Sequence, residues 1–173
     1  MFVRIHNTEE IQSEAVYSDC GAYRYQLRRT WSPEGKKVNF IMLNPSVADE
    51  VRNDPTVARC EARARALGFG AFSVTNIFAW RDTDPAQLRK VGEPVGPDND
   101  KTLLTVAGWA DTVIAAWGVH GAHLDRGRTV VEMLRGAGIG LHHMGLTKQG
   151  HPRHPLYLPY TAQPELWDVA SGS

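Results

Sequence analysis

The chain has 173 residues, 19 basic against 19 acidic side chains, and 42% hydrophobic residues. This length predicts one domain over residues 1–173, and the charge balance excludes a protein that coats a polyanion through many uncompensated cations. Cys20 and Cys60 are too few for a disulfide framework or a Cys-based zinc site. Because no apolar run approaches about 20 residues and the N-terminus shows no export signal, we expect a cytoplasmic protein without membrane contact.

The predicted elements begin with residues 1–21, which we interpret as a lead-in. Residues 22–31 alternate apolar and polar side chains, a pattern typical of a half-solvated edge or antiparallel strand. Buried strands and amphipathic helices then alternate: strand 38–43, helix 55–67, strand 71–77, helix 97–109, strand 112–117, helix 126–135 and strand 139–144. Asp54 is the predicted N-cap of the first helix, and Pro55 its first residue.

Strands that alternate with helices predict a parallel sheet covered on both faces. We therefore predict an α/β fold, specifically a three-layer α/β/α domain with a four-stranded parallel sheet plus an N-terminal antiparallel strand. Within the single domain, residues 22–158 form the predicted core, and residues 159–173 a C-terminal tail.

The loops at the carboxyl ends of the predicted strands carry the candidate site, because ligands of open parallel sheets bind at that edge. Asn44, Pro45 and Ser46 follow the first strand, Asn76 ends the second, and Trp117 ends the third. Each of these residues can also be explained by a structural role without function. Asn-Pro is common in turns, a buried amide can belong to a hydrogen-bond network, and Trp-Gly can pack into a tight turn.

The loop after the fourth strand reads His151-Pro152-Arg153-His154-Pro155, and its prolines fix two backbone dihedrals beside three cationic or titratable side chains. Six of the seven histidines lie between residues 120 and 154, which raises a metal site as an alternative. No carboxylate follows them at an established ligand spacing, so no metal ligand is assigned. The motifs of phosphate-binding loops, serine hydrolases and dinucleotide enzymes are missing, and no cofactor is expected.

Several segments together resemble a bacterial family known as domain of unknown function 1643. They are Phe40–Ser46, Val74–Phe78, Asp98–Asp100, Ala116–Gly118 and Gly145–Leu156. The resemblance covers residues 22–158. The family's name assigns no activity.

The order of these motifs is also similar to that of the uracil-DNA glycosylase superfamily, which implies a uracil-DNA-glycosylase-like fold. This resemblance implies that Asn44 positions a hydrolytic water, that Asn76 reads the amide edge of a base, and that His151 supports cleavage of the glycosidic bond. The sequence also departs from the pattern of that superfamily. The first motif lacks a water-activating aspartate, the final loop lacks a serine that contacts DNA phosphates, and only Phe69 and Phe72 are available to stack on a flipped base.

The leading hypothesis is a glycosylase-like enzyme that acts on a base or nucleoside, in nucleic acid or in a nucleotide. The predicted catalytic residues are Asn44 and His151, with Asp49 as the reserve general base. The predicted substrate-binding residues are Pro45, Ser46, Asn76, Trp117, Arg153 and His154. The alternatives are a non-catalytic module that binds a nucleotide or modified base, and a metal-dependent hydrolase that uses the late histidines.

Charge is unevenly distributed along the chain, since residues 18–40 and 122–154 each carry five basic and two acidic side chains. We expect a local basic surface beside the His-Pro loop, through which DNA or a nucleotide would bind. Its predicted members are Arg24, Arg28, Arg29, Lys148 and Arg153.

Overall fold

The computed structural model describes residues 1–168, which form one mixed β-sheet of eight strands together with helices. The strands are β1 (Phe2–Asn7), β2 (Gln12–Tyr17), β3 (Arg24–Thr30), β4 (Lys37–Met42), β5 (Ala71–Asn76), β6 (Thr112–Ala115), β7 (Leu141–His143) and β8 (Glu165–Leu166). The α-helices are α1 (Pro55–Ala66), α2 (Asn99–Trp109) and α3 (Arg126–Gly136), and short 3₁₀ helices cover Pro85–Lys90, Val119–Asp125 and Pro155–Tyr157. The predicted α/β class is confirmed.

The strand order across the sheet is β1-β2-β3-β5-β4-β6-β7-β8. The pairings of β4 with β5, β4 with β6, and β6 with β7 are parallel. β3 joins β5 antiparallel, and β8 joins β7 antiparallel. The sheet is therefore mixed and larger than the predicted four parallel strands with one antiparallel addition. Part of the predicted C-terminal tail supplies β8, and residues 169–173 of that tail lie outside the described residues.

The interpretation of residues 1–21 as a lead-in is wrong, because β1 and β2 form an antiparallel hairpin within the sheet. The Thr8 hydroxyl holds the turn by accepting a hydrogen bond of 3.1 Å from the Ile11 N–H. In β2, Ser13, Ala15 and Tyr17 are buried on alternate positions, as in a strand with one covered face. β1 is exposed along nearly its whole length, so it lacks the apolar periodicity that would have predicted it.

β3 lies inside the sheet and pairs antiparallel with β2 and β5, so of the two predicted alternatives, an edge strand or an antiparallel strand, the second is confirmed. Its pairing with β2 contains a β-bulge, since Val16 pairs with Gln26 whereas Tyr17 pairs with Arg24. Tyr25 is the extra residue, and a bulge of this kind redirects the following side chains. Arg24, next to the bulge, is buried, and its guanidinium donates to the carbonyl of Ala48.

Helix α1 begins as predicted, because Asp54 Oδ1 accepts a 2.9 Å hydrogen bond from the Val57 N–H and Pro55 occupies the first turn. Two apolar clusters share β4 on alternate residues. One contains Phe40 with Val57 and Cys60 of α1. The other contains Ile41 together with side chains of α2 and α3. Because β4 and β6 are parallel neighbours, their carboxyl ends lie at one edge of the sheet, where the loops before α1 and α3 begin.

Within residues 1–168, no helix is both long and apolar enough to cross a membrane.

Candidate functional site

A cleft of about 860 Å³ opens at the carboxyl ends of β4 and β6. Five segments form its walls: the loop after β4, the first turn of α1, the segment after β5, the segment after β6, and the loop that contains the His-Pro motif. Its polar and aromatic lining comprises Asn44, Ser46, Asp54, Thr56, Asp82, Thr83, Trp117, His120, Thr147, Arg153, His154 and Tyr157. Of the predicted site residues, Asn44, Ser46, Trp117, Arg153 and His154 therefore meet at one cleft.

Asn44 is fixed to the segment that follows β5. Its Nδ2 donates to the carbonyl of Asp82 at 2.9 Å and to that of Pro45 at 3.3 Å. The Asp82 N–H in turn donates to the Pro45 carbonyl at 2.9 Å. Pro45 is buried and thus contributes its carbonyl to this junction. Because Nδ2 is committed to two carbonyls, the Oδ1 acceptor is the end of the Asn44 amide left for a ligand or water.

Asp54 and Asp82, two carboxylates that were not among the predicted site residues, also line the cleft. Asp54 does cap α1, and Asp82 Oδ1 accepts a 3.0 Å hydrogen bond from the Asp84 N–H, as in an Asx turn. In each case the hydrogen bond uses Oδ1. The signal that would have found them is their position, since each lies in a loop that follows the carboxyl end of a parallel strand.

His154 is neutral in this environment. Its Nδ1 accepts a 3.3 Å hydrogen bond from the Leu156 N–H, so the neutral ring carries its proton on Nε2. Burial lowers the pKa of His154 to about 4, and the charge of Asp54 offsets only part of that effect. At neutral pH the side chain therefore offers an Nε2–H donor without a positive charge.

Arg153 and Tyr157 lie at the rim of the cleft. Arg153 is exposed, and its side chain crosses Gly145, where a Cβ would lie 3.3 Å from Arg153 Cδ. Tyr157 is 78% exposed, and its ring centroid is 5.9 Å from that of His154. Phe72 is fully buried and Phe69 packs against the same core cluster, so neither is placed to stack on a base. Tyr157 is the aromatic side chain that the sequence interpretation missed.

Trp117 belongs to the cleft wall, but its indole is buried and packs beneath the following segment. A Cβ on Gly121 would lie 2.2 Å from Trp117 Cδ1, and one on Gly127 would lie 2.8 Å from Nε1. Glycine is therefore required at both positions by the indole. Gly118 has a φ of 73°, and its N–H donates to the Pro152 carbonyl at 2.8 Å, which ties the loop after β6 to the His-Pro loop.

His151 lies apart from the cleft. It lines a second cavity of about 840 Å³ on the other side of Trp117, together with side chains of α3 and Trp167. The hydrogen bond between Gly118 and Pro152 joins a residue that lines the cleft to one that lines the second cavity. Asn44 and His151, which were predicted to act together, thus face different cavities.

Asp49 and Asn76 do not line the cleft. Asp49 Oδ1 accepts hydrogen bonds from the Val51 and Arg52 N–H groups at 2.9 and 2.8 Å, so this carboxylate closes a turn. Asn76 ends β5 as predicted and is only 2% exposed. Its Oδ1 has no hydrogen-bond partner among the described residues, although its main-chain carbonyl accepts a hydrogen bond from Asn99 Nδ2.

The walls of the cleft are held by buried arginines that donate to main-chain carbonyls. Arg29 donates to the carbonyls of Asp49, Glu50 and Arg52, and Arg24 donates to that of Ala48. On the opposite wall, Arg63 of α1 donates to the carbonyls of Pro155, Leu158 and Pro159. Loops without regular structure leave such carbonyls unpaired, and a guanidinium can satisfy several of them at once.

The prediction of a basic surface is therefore wrong for the three arginines of β3. Arg24 and Arg29 are buried, and the Arg28 guanidinium lies 4.0 Å from the centre of the Trp109 ring, away from the cleft. Lys148 and Arg153 remain exposed. Two of the five predicted members, Arg24 and Arg29, therefore donate to loop carbonyls and do not face solvent.

The late histidines do not assemble into a metal centre. Within the part of the chain that the structure describes, no group of three or more His, Cys, Asp or Glu side chains is arranged to hold a metal ion. His120 and His154 line the cleft and His151 the second cavity. His120 lies in the segment after β6, whereas His151 and His154 lie in the His-Pro loop, so the three side chains do not line one common cavity.

Comparison with known proteins gives one match. Residues 24–156, which is more than half of the chain, match a family model described as "Protein of unknown function (DUF1643)". This range contains every predicted site residue. Searches of curated proteins and of solved structures found no match.

Proposed function

Because the chain belongs to the DUF1643 family, whose function is unknown, we propose from the geometry of its cleft that it hydrolyses the N-glycosidic bond between base and sugar in a nucleoside, a nucleotide or nucleic acid. The observation that carries the proposal is the hydrogen bond between Asn44 and Asp82. It places an amide acceptor and a carboxylate on one wall of a cleft that also holds a neutral histidine donor.

The size and position of the cleft support a small ligand of this kind. A volume of about 860 Å³ lies within the range of pockets for drug-sized ligands. The carboxyl edge of parallel strands is the usual place for such a ligand in an open sheet. Tyr157 at the rim offers an exposed ring on which a base can stack. The order of the loop motifs, similar to that of the uracil-DNA glycosylase superfamily, favours the same class of substrate.

The proposed roles follow from the donors and acceptors. Asp82 takes a proton from a water that Asn44 Oδ1 orients, and the water oxygen attacks the anomeric carbon. The C1′–N bond breaks, and its electron pair leaves with the base. The Nε2–H of His154 donates to the departing base and stabilises its developing negative charge. Asp82 thus takes the role first given to Asp49, and His154 the role first given to His151. Ser46 and Arg153 line the rim as contacts to the sugar or phosphate.

The test is base release from nucleosides, nucleotides and single- or double-stranded DNA that contains uracil or hypoxanthine. Asp82→Asn keeps the acceptor for the Asp84 N–H but removes the base, so we expect the rate to fall by about 10²–10⁴-fold. Asp84→Asn is the matched control, since Asp84 caps the Pro85–Lys90 helix and does not line the cleft; it should retain activity within a few-fold. Equal activity in both variants would reject the role of Asp82.

The second candidate is a non-catalytic module that binds a nucleotide or a modified base. Asp49 and His151, two of the three predicted catalytic residues, lie outside the cleft, which favours binding over catalysis. Under this alternative a nucleoside raises the melting temperature, Tyr157→Ala reduces the shift, and no base is released from any substrate. Release of base that depends on Asp82 would exclude it.

A further inference from the structure

The cleft is lined by more carboxylates than permanently charged cations. Asp54 and Asp82 contribute two carboxylates, whereas Arg153 is the only lysine or arginine among the described residues that line it. Arg153 is exposed at the rim, and the ring of His154 is neutral at pH 7 because burial lowers its pKa to about 4. The charge on the walls therefore disfavours a strongly anionic ligand inside the cleft.

The carboxylate of Asp54 lies where α1 begins and acts on the interior of the cleft. Its Oδ1 accepts a 2.9 Å hydrogen bond from the Val57 N–H, but a carboxylate has two oxygens and can accept from further donors. Its charge also reaches His154, whose pKa is lowered by burial and raised by Asp54. Asp54 and the histidine proposed to contact the departing base therefore share one electrostatic environment.

The N-terminus of α1 is not available to bind a phosphate, although it opens into the cleft. A phosphate at such a site is held by free main-chain N–H groups of the first helical turn. Pro55 has no N–H, and the Ala58 N–H donates to the Asp54 carbonyl at 2.9 Å. The Val57 N–H donates to Asp54 Oδ1. The negative charge and the acceptor that a phosphate would bring are thus already supplied by Asp54.

The arginines of the cleft walls do not reverse this balance. Arg24 and Asp54 attract each other, but Arg24 is only 1% exposed and is not among the residues that line the cleft. Arg29 and Arg63 donate to main-chain carbonyls of the loops and do not line the cleft either. A phosphate that entered the cleft would lose its water beside two carboxylates without contacting any of these guanidinium groups.

We propose that Asp54 determines the substrate class, so that the cleft accepts an uncharged nucleoside and rejects the same nucleoside as a nucleotide or within nucleic acid. Asp54 accepts hydrogen bonds from sugar hydroxyl groups, which are neutral donors suited to a carboxylate. A terminal phosphate presents acceptor oxygens and about −1.5 to −2 charges at pH 7, so the carboxylate repels it. This inference rests on the proposed function, from which it takes the ligand class.

The test is the affinity of the full chain for pseudouridine and formycin, measured by isothermal titration calorimetry. A carbon–carbon bond joins base and sugar in both, so an N-glycosidic hydrolase cannot cleave them. We expect at least one to bind, and its 5′-monophosphate to bind at least about 10-fold more weakly. A neutral 5′-O-sulfamoyl derivative, similar in size to the monophosphate, should bind within about threefold of the nucleoside, which separates charge from size.

Asp54→Asn tests the residue itself, because asparagine removes the charge and still accepts from the Val57 N–H as an N-cap. We expect the ratio of the Kd of the monophosphate to that of the nucleoside to fall about fivefold or more. Asp98→Asn is the matched control, since Asp98 is the N-cap residue of α2 and does not line the cleft. If Asp54→Asn does not fold, Asp54→Ser keeps a cap and answers the same question.

Three results overturn the proposal: equal affinity for nucleoside and monophosphate, no binding of either C-nucleoside, or the same ratio in Asp54→Asn as in Asp98→Asn. Base release separates this inference from the proposed function. Release at equal rates from uridine or inosine and from the corresponding monophosphate supports the reaction and contradicts the role of Asp54. Selective binding of a C-nucleoside, without base release from any substrate, rejects the reaction and leaves the ligand class assigned by Asp54 intact.

Discussion

Asn44 and Asp82 are 38 residues apart in the chain, yet the Asn44 side-chain amide donates to the Asp82 carbonyl at 2.9 Å. The contact joins the loop after β4 to the segment after β5, the strand next to β4 in the sheet. It fixes the orientation of the Asn44 amide and brings the Asp82 carboxylate to the same wall of the cleft. A local motif, Asn-Pro-Ser, becomes part of a site only through this long-range contact.

Asn44→Asp is the sharpest test of that junction. The substitution keeps the size of the side chain but replaces the Nδ2 donor with a carboxylate oxygen, which faces the carbonyls of Pro45 and Asp82. We expect a loss of about 1–3 kcal/mol in the free energy of unfolding at pH 7, measured by urea denaturation. Ser46→Ala is the control on the same wall, and a change below about 0.5 kcal/mol is expected there. Equal losses of stability in the two variants would show that the hydrogen bonds of Asn44 do not stabilise this wall.

Asp54 combines a helix cap with a carboxylate in the cleft, and two substitutions separate these roles. Asp54→Ser retains an acceptor for the Val57 N–H, whereas Asp54→Ala removes it. We expect the alanine variant to lose about 1 kcal/mol of stability and the serine variant only a few tenths. Thermal and urea unfolding measure the difference. A serine variant as unstable as the alanine variant would mean that the charge of Asp54, and not its cap, stabilises the fold.

Arg63→Met tests how the wall that contains the His-Pro loop is held. The variant loses hydrogen bonds to the carbonyls of Leu158 and Pro159 at 2.8 and 3.0 Å, so we expect a loss of about 2–4 kcal/mol. Amide hydrogen exchange should accelerate in residues 155–159 before other regions. Arg65→Met is the control, because Arg65 is exposed and contacts Glu61 and the Trp31 ring, and it should cost less than about 1 kcal/mol.

His154 predicts a pH dependence of stability. Its pKa is about 4 in the folded protein against 6.5 for the free side chain, so between these values the unfolded chain binds the proton and the folded chain does not. Stability contributed by the neutral ring is therefore fully present above pH 6.5 and is lost as pH falls toward 4. The loss is up to about 3 kcal/mol.

His154→Asn isolates this effect, since an asparagine oxygen can still accept from the Leu156 N–H but does not titrate. Urea denaturation at several pH values between 4 and 7 should show a shallower slope for the variant than for the wild type. Identical slopes would contradict burial of a neutral His154. An NMR titration of the wild-type imidazole gives the same pKa independently.

Local chemistry determined much of the fold. Alternating apolar runs and helical spacing predicted the strands and α-helices between residues 37 and 144, because the period of buried side chains is a property of each segment. The cap at Asp54 was predictable for the same reason, since an N-cap needs only its own side chain and the next three residues. The placement of polar loops at one edge followed from the parallel strands.

The tertiary structure alone decided which of those loops meet. Arg24 and Arg29 look like surface charges in the sequence, but both are buried and donate to carbonyls of an irregular loop 20 or more residues away. His151 and His154 are three residues apart, yet the loop directs them into different cavities. Burial and side-chain direction depend on partners that are distant in the chain. Those partners cannot be identified from composition or periodicity.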